Sequence, residues 1–95
     1  VYAYEPLPRN ADLLERSIAE SGYEGRLSLS RAAVADVSGH ATLRFARETL
    51  NTGGAFLGDR ATGVDAALDA IVVPTIRLDE APIRRPVRLI KMDVE

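Results

Sequence analysis

Apolar and polar positions fall into blocks along the chain, and the period changes from one block to the next. Val1-Tyr-Ala-Tyr4 is an apolar run that stops at a single acid, Glu5, with Pro6, Leu7 and Pro8 behind it. The run predicts a buried strand, and the two prolines impose a rigid turn because neither lets a helix continue directly from it. Asn10 then reads as a helix N-cap, Asp12 falls in the first turn, and Leu13, Leu14 and Ile18 recur at helical spacing. A helix over 11–21, ended by Gly22, follows from that spacing. Beyond it, Leu27 and Leu29 alternate with Ser28 and Ser30, and the pattern runs apolar through Ala32, Ala33, Val34 and Ala35 to Asp36. This is a second strand with its carboxyl end near 33–36. Strand, helix, strand in that order predicts a right-handed crossover, with the ends of the two strands side by side in an open α/β sheet.

The second half reads differently. Ser38-Gly-His40 is a turn into a strand over 41–45, where Leu43 and Phe45 share a face. Residues 46–70 lose their periodicity and carry Gly53, Gly54, Gly58 and Gly63, with a short helical turn expected over 65–70. The run Ile71-Val-Val-Pro-Thr-Ile-Arg-Leu78 is strand-like, and Pro74, which donates nothing to a ladder, places it at an edge, antiparallel to 41–45. Such an edge could pair two copies of the chain. Asp79, Glu80 and Pro82 close it, and Arg84, Arg85 and Arg88 follow in a loop, suited to a phosphate or carboxylate or simply solvated. The last element, 87–95, alternates Ile90, Met92 and Val94 against Leu89, Lys91, Asp93 and Glu95. It reads as a central strand ending in two carboxylates on one face, their α-carbons about 6.5–7 Å apart, with Lys91 needing Asp93 or Asp79 as a partner.

Composition narrows the function classes. The chain has 95 residues, 46% of them hydrophobic, which is one domain at most. A net charge of -2 argues against a general nucleic-acid binder, and the absence of cysteine removes disulfides, thiolate metal sites and a thiol nucleophile. No apolar run is long enough for a membrane span or a signal peptide, so a cytoplasmic protein is expected. Because the chain opens and closes inside strand-like runs, it reads as part of a longer protein.

Two places carry candidate chemistry. An acid at the tip of a parallel strand can accept both hydroxyl protons of a nucleotide ribose, and Glu5 stands there; equally, Glu5 can cap a solvated loop. Ala32, Ala33 and Ala35 would let a flat ring approach the backbone, or would serve close packing of helix on sheet. Asp93 and Glu95 form the second place. Paired carboxylates suit magnesium, but two ligands without a nearby histidine do not make a site, and no metal is expected. His40, the only histidine, sits beside a turn glycine and reads as solvated.

Taken together, Tyr4-Glu-Pro-Leu-Pro-Arg-Asn10, Ala32-Ala-Val-Ala-Asp36, Asn51-Thr-Gly-Gly54, Thr75-Ile-Arg-Leu-Asp-Glu80 and Ile90-Lys-Met-Asp-Val-Glu95 resemble the FkbM-type family of S-adenosylmethionine-dependent methyltransferases, in order and approximate spacing. The resemblance spans nearly the whole chain. It implies part of a Rossmann-like class I methyltransferase sheet, parallel strands with a crossover helix plus an inserted antiparallel hairpin, corresponding to the central part of the catalytic domain over 1–95. The family's glycine-rich turn would lie upstream of Val1, and its helix after the last strand beyond Glu95. The resemblance further implies that Glu5, with Pro6, holds the cofactor's ribose, that the strand end at Ala33 borders the adenine, and that Asp93, then Glu95, takes the acceptor's proton. The acceptor would be a small-molecule or sugar hydroxyl. Two other readings remain: a fragment of a nicotinamide-dependent Rossmann oxidoreductase, in which the same acid binds ribose, and a non-catalytic binding or structural module.

Overall fold

The computed structural model describes residues 1–46, 54–58 and 68–93. In chain order these form β1 (Tyr2–Tyr4), α1 (Pro8–Glu20), β2 (Ser28–Ser30), β3 (Ala33–Val34), β4 (Gly39–Ala46), β5 (Phe56–Leu57) and β6 (Leu68–Ile76), then a 3-10 turn at Leu78–Glu80. The result is a small mixed α/β fold with two sheets. One is the parallel pair β1–β2; the other is four-stranded and mixed, in the order β3-β6-β4-β5.

The first unit is β1, α1 and β2. Tyr2 pairs with Ser28, Ala3 with Leu29 and Tyr4 with Ser30, and the ladder extends one step further as the Glu5 N–H donates to the Ser30 carbonyl at 3.0 Å. The two strand ends therefore lie side by side as their order predicts. The helix starts earlier than Asn10 indicates. Leu7 is its N-cap residue and Pro8 its first helical residue, where a missing N–H costs nothing. Asp12 is consequently a turn into the helix, and Leu7, Ala11, Leu14 and Ile18 form its inward stripe while Leu13 is 55% exposed. At about 100° per residue, 7, 11, 14 and 18 fall close together around the axis, and Leu13 lies off that stripe on the flank beyond Leu14.

Gly22 ends α1 as its sequence position predicts, at φ +69°, with the Tyr23 N–H donating to the Ile18 carbonyl at 3.0 Å and the Gly22 N–H to the Ala19 carbonyl at 3.2 Å. This paired arrangement closes the last helical carbonyls and needs a left-handed residue at its corner. A Cβ at Gly22 would meet nothing within 4 Å, so the cost of Gly22→Ala is backbone strain alone. Urea unfolding should show a loss of about 1–2 kcal/mol. An unchanged midpoint would mean that the helix end is not held this way.

The expected single strand over 27–36 is divided. Ser28–Ser30 pairs with β1, and after Arg31 and Ala32 the chain enters β3, where Ala33 pairs with Thr75 and Val34 with Ile76 in the other sheet. At this crossing Arg31 reaches back to α1, 2.7 Å from Asp12 and 2.6 Å from Glu15. Hydrogen bonds to Asp12 first and then Glu15 raise the Arg31 guanidinium above its ordinary value. A basic group raised in the folded state contributes below its unfolded pKa and loses that contribution only as pH rises through the folded value. Both lie far above neutrality, so Arg31 adds no pH dependence there.

β4 and β6 pair antiparallel as expected, over a longer register than the sequence indicates, from Gly39 opposite Thr75 to Ala46 opposite Leu68. Leu68, Asp69 and Ala70 are strand, not the helical turn expected over 65–70, whose first three residues lie outside the described residues. Their alternation decides this, because Asp69 and Ile71 are half-buried while Ala70 and Val72 are exposed, a period of two. Pro74 is not on a simple edge strand, since β6 lies between β3 and β4. Ala35 donates to the Ile76 carbonyl at 3.0 Å, so the polar groups of Ile76, and two residues earlier of Pro74, face β3. The β3 ladder begins at Thr75, one residue after Pro74, so the missing donor falls just outside that pairing.

The core sits where the two units meet. Leu7, Ala33, Leu43 and Val73 are buried together, with Phe45, Ala55, Leu57 and Ile71 packed around them. Thr75 is the one buried polar residue among those described, and its Oγ1 donates to the Val37 carbonyl at 2.8 Å. The expected central strand at the chain's end does not form: residues 87–93 have no regular structure, with Val87 54%, Leu89 86%, Ile90 57% and Met92 57% exposed. Alternation is a local property, whereas a strand needs a neighbouring ladder, and no described strand offers one to this segment. Apolar burial does not hold it either.

Candidate functional site

Glu5 leaves the β1–β2 ladder where both strands end. Its backbone is tied to Ser30, and its Oε1 accepts from the Leu7 N–H at 2.8 Å. The carboxylate therefore satisfies the backbone of the helix's own N-cap residue, and Leu7 in turn begins the helix by accepting at its carbonyl from Ala11 at 3.0 Å. Pro6 spans the two anchored residues and holds the turn between them. Among the described residues Oε2 accepts no hydrogen bond. The capping role and an outward-facing acceptor thus coexist in one side chain.

Ala33 lies elsewhere in the arrangement. It is 5% exposed, belongs to the core cluster with Leu7, and pairs with Thr75 in the mixed sheet. Glu5 and Ala33 are brought into one neighbourhood through Leu7, the residue that the carboxylate holds and the core buries. Asp93 is exposed in the irregular segment 87–93, and no described contact joins it to Glu5. Glu95 lies outside the described residues, as do Asn51, Thr52 and Gly53 of the Asn51-Thr-Gly-Gly54 block. Neither expected partner of Lys91 pairs with it among the described residues: Asp79 pairs with Arg77 at 3.5 Å, and Asp93 is exposed in the irregular segment.

Two further clusters were not evident from the sequence. Ser38 Oγ donates to Glu80 Oε2 and accepts from the Arg77 N–H at 2.9 Å, while Arg77 also lies 3.6 Å from Glu80. This exposed network ties the turn before β4 to the 3-10 turn after β6, and its groups satisfy one another. His40 is exposed opposite Pro74, in keeping with a solvated histidine. The other cluster is a groove of about 250 Å³ over the β1–β2 ladder, lined by Tyr2, Tyr4, Ser28, Ser30 and Arg84 among others. Its signal was present in the alternation Tyr-Ala-Tyr and Ser-Leu-Ser: once the strands pair in register, four hydroxyl side chains fall on one face.

Among the described residues no three His, Asp or Glu side chains gather closely enough to hold a metal ion, and no helix is long and apolar enough to cross a membrane. Comparison with protein-family models, with curated proteins and with solved structures finds no match to this chain.

Proposed function

We propose that the chain is the central part of the catalytic domain of a cytoplasmic, class I S-adenosylmethionine-dependent methyltransferase of FkbM type, acting on a small-molecule or sugar hydroxyl. The observation that carries the reading is the position of Glu5, at the carboxyl end of a parallel strand joined through a helix to its neighbour, with one carboxylate oxygen unengaged among the described residues. In open α/β sheets ligands bind at such strand ends. The donor set fits a ribose, because a carboxylate oxygen accepts only and a hydroxyl has a proton to give.

In this reading β1 and β2 belong to a larger Rossmann-like parallel sheet. Glu5 accepts from the ribose through Oε2, Pro6 fixes the direction of the turn, and the backbone at Ala33 borders the adenine. When bound, S-adenosylmethionine supplies an electrophilic methyl group. The chain's contribution is to place the acceptor, exclude water and take its proton, a role assigned to Asp93 with Glu95 second.

The test is a calorimetric titration of S-adenosylmethionine into the whole protein, with NADH as control, since the same acid suits a nicotinamide dinucleotide. Binding of S-adenosylmethionine with no response to NADH supports the proposal; a folded protein that binds neither overturns it in favour of a structural module. Asp93→Asn should lower turnover while cofactor affinity stays within about threefold, because the amide keeps the shape and loses the basic oxygen. Unchanged turnover would remove Asp93 from the reaction.

A further inference from the structure

We propose that the groove over the β1–β2 ladder binds a small oxyanion, a phosphate or a carboxylate group, with Arg84 as its charge partner. The groove stands on the parallel register of Tyr2 with Ser28 and Tyr4 with Ser30, which puts two phenols and two hydroxyls on one face. The chain returns to this face after the 3-10 turn, and the Arg84 N–H donates to the Tyr2 hydroxyl oxygen at 3.4 Å. That contact occupies the oxygen of Tyr2 and leaves its O–H to donate.

Charge and donor chemistry decide the ligand class. Among the described residues no acid lines the groove. Arg31 and Arg77 are each held by two carboxylates, while Arg84, the arginine that lines the groove, has no ion pair among the described residues. A guanidinium offers a planar fork of donors matched to the two oxygens of a carboxylate or phosphate, and the hydroxyls can donate to the remaining oxygens. The volume suits a small molecule or the acidic group of a larger one. Glu5 lies beyond the end of β1 and does not line the groove, so the groove is a site separate from the one proposed at Glu5.

The experiment is calorimetric titration of the whole protein at low ionic strength with inorganic phosphate in one arm and benzoate in the other. Binding on the order of millimolar is expected in at least one arm, as befits a ligand of few atoms. Phosphate alone identifies a phosphate group as the ligand, benzoate alone a carboxylate, and silence in both arms overturns the proposal. Arg84→Gln should weaken the binding about tenfold or more, Arg84→Lys should restore part of it, and Tyr2→Phe should cost a few-fold. Binding unchanged in Arg84→Gln would also overturn it. Arg84 is exposed, so its variants should melt with the parent protein. S-adenosylmethionine binding should be the same in Arg84→Gln as in the parent, which keeps this result distinct from failure of the methyltransferase reading.

Discussion

Leu43→Ala should destabilise the protein by about 2–5 kcal/mol, the largest stability effect expected of any single truncation here. Leu43 is 2% exposed and lies at the centre of β4, opposite Ile71 of β6 on one side and Leu57 of β5 on the other. It also belongs to the cluster in which Leu7 and Ala33 join the first unit to the mixed sheet. Truncation removes the transfer energy of the side chain and leaves a space that three strands would have to close together. Strands fixed by a ladder relax little, so the cavity term should remain. Small domains have only about 5–15 kcal/mol in all, and the variant should unfold at markedly lower urea. Val72→Ala is the matched control, since Val72 is 71% exposed on the opposite face of β6 and should lie within about 0.5 kcal/mol of the parent. Equal losses in the two variants would show that the core does not lie on the Leu43 face.

The pairing of β4 with β6 was legible because 41–45 alternates with period two, with Leu43 and Phe45 on one face, and 71–78 is a run rich in β-branched residues. Leu43 and Phe45 on one strand, Ile71 and Val73 on the other, could only meet across a shared core. The handover from β1 to α1 was legible for a related reason: Pro6 and Pro8 restrict the backbone whatever surrounds them. What could not be read depends on partners distant in sequence. The division of 27–36 between two sheets happens at Arg31, whose ion pairs with Asp12 and Glu15 lie about one helix earlier in the chain. Residues 87–93 carry a strand's alternation, yet that pattern says which faces would be apolar and nothing about whether a ladder is available. The Leu13 and Leu14 choice is of the same kind. Both fit a helix, and only the position of the sheet selects Leu14.

Glu5 was found as an acid at a strand tip, but its bond to Leu7 was not, although a carboxylate placed two residues before an N-cap position is a local signal for it. That bond makes Glu5 the residue at which structure and proposed function can be separated. In Glu5→Gln the side-chain carbonyl can still accept from the Leu7 N–H, so unfolding should stay within about 0.5 kcal/mol of the parent. The charge is lost, however, and the amide must offer its NH2 group or share its one oxygen at the position where two ribose hydroxyls need acceptors. S-adenosylmethionine affinity should therefore fall about tenfold or more, since hydrogen bonds to a charged acceptor are worth about 1.5–3 kcal/mol. Glu5→Ala differs in both respects. It removes the acceptor altogether and leaves the part-buried Leu7 N–H unpaired, which should cost about 1–3 kcal/mol of stability in addition to the lost affinity. If Glu5→Gln binds the cofactor as the parent does while Glu5→Ala merely unfolds earlier, then Glu5 serves the turn alone, and the ribose must be held by some other acceptor. If Glu5→Gln folds normally and loses the cofactor, the free oxygen is the functional half of the residue and the bonded one its anchor.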